Sequence, residues 1–307
     1  MAKGIEVSIN EKSFVFDALK QGIRLDGRKL EDFRNVDITL GDEYGYVDVR
    51  LGKTRVVARI SAEISTPFED RPFEGLFTVS TEISPMASAM FENQRQSDDE
   101  LLISRAIEKA VRRSGALDLE SLCIIAGSKC WSIRADVHFL DYDGGFIDAS
   151  CIAVMTGLQH FRKNDITVSG EQIVIHSVEE REPVELSVLH VPICVTFAFF
   201  NPEGVEENIK GESNNEIYIV DTTLEEDLLK DGVLTVAVNK NREVCQISKA
   251  GGLPMDALTL MDCGRKAYDI AVELTNQIKK LLEADYKRRN EGIQYKLRAE
   301  NDRITVE

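Results

Sequence analysis

Three groups of residues in this chain have the types and spacing to do chemistry. The first is the turn Asp141-Tyr142-Asp143-Gly144-Gly145, which leads into an apolar helical run at 149–158. Backbone amides at a helix N-terminus behind glycines cradle phosphate. A working phosphate site adds a hydroxyl and an arginine. Here Phe146 and Ile147 follow the glycines, and Asp148 repels an anion or caps the helix. The turn therefore reads as a strand-to-helix connection without a ligand. The second group is the acidic set Asp221, Glu225, Glu226, Asp227 and Asp231. Its density suits a magnesium ion, but acids in a helical turn more often form a solvated face that complements the helix dipole. The third is basic. Arg105, Lys109 and Arg112 recur at i, i+4, i+7 and share one helix face, with Arg113 beside them. Such a stripe either contacts nucleic-acid phosphates or pairs with neighbours such as Glu108. Lys249, near Gly251-Gly252, is a weaker candidate.

Elements with clear periodicity must hold these groups. Residues 131–139 alternate apolar and polar side chains, the period of a half-buried strand. Residues 46–51, 55–64, 77–83 and 122–126 read as further strands, with Gly52-Lys53 as a turn and 68–75 as a loop. Ser97-Asp98-Asp99-Glu100 is a capping box. Its helix carries Leu101, Leu102, Ala106, Ile107, Ala110 and Val111 as the expected buried face, and Gly115 ends it. A helix is expected at 11–21, capped by Asn10, with Phe14, Ala18 and Leu19 on its apolar side. A second strand-rich block holds 190–200, 217–220, 233–238 and 243–247, with an exposed loop at 202–215. Pro254 suits a helix start. The long helix after it carries Leu258, Met261, Ala267, Ile270, Leu274, Ile278 and Leu281 on one side. Residues 48–55 and 235–242 look alike, both as hairpins, which hints at two related halves.

Composition sets bounds. The 307 residues suggest roughly two domains, and 43% hydrophobic content supports sizeable cores. Acids outnumber bases, 53 to 37, for a net charge of −16. A nucleic-acid binder acting alone is usually basic, so any RNA contact rests on a local basic face or a partner. The six cysteines form no Cys-x-x-Cys pair, and no zinc site is expected. They read as small buried hydrophobes of a reducing compartment. No signal peptide or membrane span is apparent, and a soluble intracellular protein is expected. The Gly-x-Gly-x-x-Gly pattern of a dinucleotide enzyme is absent around Gly144, so no cofactor is expected.

Several of these segments carry a family resemblance. Arg134-Ala135-Asp136-Val137 and the run from Asp141 through Gly144-Gly145-Phe146-Ile147-Asp148-Ala149 resemble the central segment of the ribonuclease PH family. Arg24-Leu25-Asp26-Gly27-Arg28 resembles the signature that opens its catalytic fold. The resemblance runs from about residue 25 to 282. It implies an α+β ribonuclease PH-like fold of two similar sheet-and-helix halves. The expected parts are an N-terminal helix and extension (1–28), a first domain (29–165), a second domain with a long C-terminal helix (186–285) and a charged tail (286–307) that is disordered.

Members that cleave RNA with phosphate carry Gly-Gly-Thr-Arg where this chain has Gly144-Gly145-Phe146-Ile147. Their two catalytic aspartates align with Thr223 and Val233. The loop 82–93 resembles that of non-catalytic ring subunits, and 93–100 has one basic residue where catalytic partners are basic. The resemblance therefore implies a non-catalytic subunit of the six-membered RNA exosome ring, with no catalytic residue and no metal. Implied partners are other ribonuclease PH-like ring subunits, including an active-type homologue in a heterodimer. Cap subunits of the S1 and KH type, a separate hydrolytic nuclease and single-stranded RNA in the channel complete the set. The implied places are nucleus, nucleolus and cytoplasm. Arg105, Lys109, Arg112 and Arg113 are the implied RNA contacts. The alternatives are a phosphate-dependent 3′ exoribonuclease and an unrelated small-molecule enzyme using the Gly144-Gly145 turn.

Overall fold

In the computed structural model, the described residues are 7–88, 91, 97–170, 172–178, 180–201, 217–252 and 254–301. Chain order begins with helix α1 (Ile9–Lys20) and a meander of β1 (Val36–Leu40), β2 (Tyr46–Leu51) and β3 (Thr54–Ser65). β3 pairs antiparallel with β6 (Lys129–Asp141), and β4 (Leu76–Ile83) lies parallel to β6 on its far side. The first sheet runs β1-β2-β3-β6-β4, with β5 (Cys123–Ile125) also paired to β6. The period-two pattern of the sequence is the pattern of burial: Ile133, Ala135, Val137 and Phe139 are buried, while Arg134 and His138 are exposed. β1 lies outside the strands expected from the sequence, because Val36 is the one buried residue in it.

Two helices shift from their expected frames. In α1 the cap is Ser8, not Asn10: Ser8 Oγ accepts from the Glu11 amide at 3.2 Å, and Glu11 returns the bond at 3.0 Å. Val15 and Leu19 consequently face Ala198, Phe200 and Ile219, and Phe14 is left 65% exposed. Helix α2 (Asp98–Glu108) has the expected Ser97 capping box. Its inner face is Ile103, Ile107, Ala110 and Val111, whereas Leu101 and Leu102 are exposed. Glu100 takes the inward place beside β4, where its carboxylate accepts from the Ile83 amide at 2.7 Å. The last turn, Lys109–Arg113, is a π-helix that ends before Gly115.

Helix α3 (Phe146–His160) is buried on nearly every face. It packs on β2 and β3 of the first sheet and on β11 of the second. In sequence, the segment joining the two sheets holds the pair β7 (Arg162–Lys163) and β10 (Val184–Glu185) and the hairpin β8 (Ile166–Ser169) and β9 (Gln172–Ile175). The second sheet holds β11 (Ile193–Phe200), β12 (Ile217–Val220), β13 (Gly232–Val238) and β14 (Val244–Gly251) in the antiparallel order β12-β11-β13-β14. A short helix, α4 (Leu224–Asp227), links β12 to β13. One hydrophobic core spans both sheets and α3.

Helix α5 (Ala257–Asn301) starts at Ala257, three residues after Pro254, with the Asp256 carboxylate accepting from the Ala257 amide at 2.7 Å. Cys263, Ala267, Ala271, Leu274 and Ile278 are its buried stripe; Leu258 and Met261 are exposed, against expectation. The helix also corrects the expected disorder of the tail, at least to Asn301. Asp285 and Arg289 pair at 2.6 Å, and Arg289 donates to the carbonyls of Gly41 and Asp42, each at 2.7 Å. The charges there are matched at i, i+4 and tied to the body, so they stabilise the helix. Residues 302–307, the expected loop at 202–215 and most of 89–96 lie outside the described residues.

Candidate functional site

Gly144 and Gly145 both take left-handed backbone, φ +73° and +68°. No side chain fits there. A Cβ on Gly145 would stand 2.5 Å from Arg34 Nη2, and one on Gly144 would strike the Thr222 carbonyl. Gly145, not Asp148, occupies the N-cap of α3. Asp148 is fully buried one turn inside, where it accepts from Thr196 through the amide at 3.0 Å and the hydroxyl at 2.7 Å. Burial pushes its carboxyl up to about 7, against the pull of the Thr196 bonds.

A cleft of about 280 Å³ lies in front of this turn. It brings together Phe146, Ile147 and Val233, three of the four positions at which the chain departs from the active pattern. Thr223, the fourth, does not line the cleft, and its backbone lies against the Gly144 turn. Aromatic rings fill the space beside the turn. Phe146 stacks on Tyr142 at 4.1 Å and meets Phe139 edge-on at 4.9 Å. Burial pushes the Tyr142 phenol up. The cleft retains two carboxylates, Asp99 and Asp227, and one cation, Lys230, which is paired with Asp227. Such a site offers an incoming phosphate one already committed ammonium group.

The acidic segment departs from the expected solvated face. Asp221 and Glu226 are buried and hold arginines from the N-terminal part of the chain. Glu226 grips Arg24 at 2.6 and 3.0 Å. Asp221 takes Arg34 at 2.6 and 2.7 Å and Arg28 at 3.2 Å. Arg34 also donates to the carbonyls of Asp143, Gly144 and Thr222 at 2.8, 3.3 and 3.3 Å, so it fixes the glycine turn directly. Desolvation opposes its charge, but the hydrogen bond and charge of Asp221, with Asp143 and Asp148 beside it, together hold the guanidinium above its usual range. The sequence marks Arg24 and Arg28 only as part of the opening signature and gives no role to Arg34. Their partners lie 187–202 residues away, and the one local signal is the turn at Asp26-Gly27. Among the described residues, no group of three or more His, Cys, Asp or Glu is placed to hold a metal.

The basic residues form a real cluster. Arg105, Lys109, Arg112 and Arg113 line an open cleft of about 480 Å³ together with Arg71 and Glu108. That is five cations and one carboxylate. Glu108 sits 3.9 Å from Arg105 and 3.6 Å from Arg112, so it partly offsets both. Arg105 is 66% exposed and Arg112 31% exposed. Arg71 comes from the 68–75 loop, where it also pairs with Glu74 at 3.0 Å, and its distance in sequence hid it. Lys249 is exposed on β14 and does not line this cleft.

The two sheets, the central helix and the glycine turn define a member of a nuclease family. The chain matches the 3′ exoribonuclease family (RNase PH), domain 1 over residues 32–164 and domain 2 over 190–270, and it belongs to that family. A Saccharomyces cerevisiae relative named exosome complex component RRP45 is 65% identical over 291 residues, which cover 94% of this chain and 95% of the relative. Its Schizosaccharomyces pombe counterpart is 53% identical over 289 residues, with the same coverages. A chain of the Archaeoglobus fulgidus exosome, solved with RNA bound to the active site, superposes with a TM-score of 0.72 at 27% identity, covering 87% of this chain and 97% of that one.

Proposed function

We propose that this chain is a structural subunit of an exosome core ring that has lost phosphorolytic chemistry. The supporting observation is the cleft at the glycine turn. Ile147 and Val233 line it where active relatives of the resembled family carry a phosphate-binding arginine and a catalytic carboxylate. Transfer to phosphate requires stabilisation of an anionic attacking group and of the leaving oxygen. Two aliphatic side chains supply neither. The stacked Tyr142 and Phe146 rings occupy the adjoining space.

Within such a ring, the chain pairs with an active-type ribonuclease PH-like homologue. Subunits of the S1 and KH type cap the ring, and RNA passes through it to a hydrolytic nuclease. The work served is 3′ to 5′ processing and decay of ribosomal and other RNAs in nucleus, nucleolus and cytoplasm. The cationic cleft of Arg71, Arg105, Lys109, Arg112 and Arg113 is the RNA-facing element. Its role is to hold backbone phosphates without reading bases. The test is purification of the chain from its own cells, with its stable partners identified by mass. Ring and cap subunits are the expected partners. Recovery without any ribonuclease PH-like partner contradicts the reading.

A further inference from the structure

The long strand β3 has an edge that its neighbours leave open. On one side it pairs with β6 from Arg55 to Ser65. On the other it pairs with β2 only as far as Arg59, opposite Tyr46. The Ile60 amide still reaches the Gly45 carbonyl at 2.9 Å. Before Gly45 the chain folds back toward β1, with the Gly41 amide on the Tyr46 carbonyl at 3.0 Å. Main-chain groups alternate in direction along a paired strand, so those of Ala62 and Ile64 point the same way as the Ile60 amide. Each residue presents one N–H and one C=O on the open side. β2 does not reach them, and no turn or loop bond among the described residues takes its place. A cleft of about 550 Å³ runs along this edge. Its wall includes six consecutive residues of β3, Arg59 through Ile64, whereas a sheet face would show every second residue. Residues 161–164, after α3, and Ile175 of β9 help to complete it. None of its residues belongs to the glycine-turn cleft or the basic cleft.

Open donors and acceptors in a row call for an extended chain, and charge selects which one. Of the cations in the wall, Arg59 pairs with Glu43 at 3.5 Å and Arg162 with Glu185 at 2.7 Å. Lys163 donates to the Ser121 carbonyl at 3.4 Å and has no carboxylate within 4 Å among the described residues. Burial pulls its ammonium below the usual lysine range by more than Asp118 restores, so this charge lacks a counter-ion. Glu63, also without an ion pair, is exposed on the face away from the core that Ala62 and Ile64 pack against. The apolar part of the wall includes Ile64 and the half-exposed Ile175.

We propose that this cleft is a docking site for an extended segment of another protein, which adds as a strand to the open edge of β3 and places an acidic side chain against Lys163. The guest continues the line of β2 beyond Gly45. Its main chain bonds the free N–H and C=O groups of Ala62 and Ile64, which gives affinity independent of sequence. Its alternate side chains give selectivity: apolar ones cover Ile64 and Ile175, and the carboxylate supplies the missing counter-ion.

The test titrates the full-length protein with labelled short peptides that alternate valine and threonine around a central glutamate or lysine, read by fluorescence anisotropy. The expected result is saturable binding that favours the glutamate peptide about tenfold or more and loses that preference in Lys163→Ala. N-methylation of the peptide amides on the pairing side should abolish binding, and methylation of the alternate set should not. Ala62→Pro removes a donor that the sheet does not use and should weaken binding in the same way. Hydrogen exchange gives a measure that needs no variant. On saturation the Ala62 and Ile64 amides should slow about tenfold or more, while those of Ser61 and Glu63, which face β6, should not change. Binding indifferent to N-methylation, equal affinity for the two peptides, or protection that spares Ala62 and Ile64 overturns the proposal, as does absence of saturable binding. A dimer of this chain in which those two amides are already protected assigns the edge to a second copy and is equally fatal.

Discussion

Arg34 and Asp221 form a bidentate ion pair, with Nη2 at 2.6 Å and Nε at 2.7 Å from the carboxylate oxygens, across 187 residues of sequence. The Asp221 side chain is fully buried and that of Arg34 is 7% exposed. Through the same guanidinium the pair holds the Asp143 and Gly144 carbonyls. It therefore couples the end of β12 to the turn that starts α3. In the resembled family that turn is where phosphate would bind. On the function proposed above, the scaffold of the turn persists here without the groups that would use it.

Removing one partner of this pair should be costly. Arg34→Ala leaves the buried Asp221 charge with the longer ion pair to Arg28 alone, at 3.2 Å, and breaking a buried pair costs up to about 3–5 kcal/mol. Removal of the more exposed Arg55 from Asp48 should cost far less, because water already solvates that guanidinium. Urea unfolding of the two variants beside wild type checks the contrast. Equal, small losses would show that the network contributes little.

Asp148 predicts a pH dependence. Its folded carboxyl is raised to about 7, chiefly by burial, while an unfolded aspartate titrates near ~3.9. Between those values the folded state holds a proton that the unfolded state lacks, so stability falls as pH rises from about 4 to about 7. Asp148→Asn keeps the shape and, in one orientation, both bonds to Thr196. Its stability should be flatter with pH than that of wild type. Parallel urea midpoints at pH 5 and pH 8 would remove the charge of Asp148 from the account.

The basic cleft predicts a salt-sensitive RNA contact. In the assembled ring, Arg105→Ala with Arg112→Ala should weaken RNA binding by ~1–3 kcal/mol at low salt, and less as salt rises. Glu108→Gln should act in the opposite direction, because Glu108 lies within 4 Å of both arginines. Collapse of the ring in the arginine variant would make these residues interface partners. Unchanged low-salt affinity with the ring intact would assign them to local ion pairing.

Local features of the fold were legible in the sequence. β2 and β12 occur as expected at Tyr46–Leu51 and Ile217–Val220, because an apolar pattern between turns fixes a strand locally. Ser97 and Glu100 cap α2 as expected, since both ends of a capping box lie within four residues. What failed depended on distant partners. Glu100 also bonds β4, and this turns Leu101 and Leu102 outward. Asp148 looked like a cap because Thr196, which takes it inward, lies 48 residues on. Glu226 looked like a solvated acid because Arg24 is 202 residues away. At the candidate site, the substitutions at Phe146, Ile147 and Val233 were readable, and so was the basic helix face. Arg71 and the Arg34 clasp were not, because tertiary proximity has no local signature.

The central claim is that the chain keeps the fold without the chemistry. The most direct measurement incubates the purified chain with 3′-tailed single-stranded RNA, magnesium and rising phosphate, and quantifies released nucleoside diphosphates. The account predicts no release above background at any phosphate concentration. Nucleoside diphosphate release that increases with phosphate and survives repurification of the chain would contradict it.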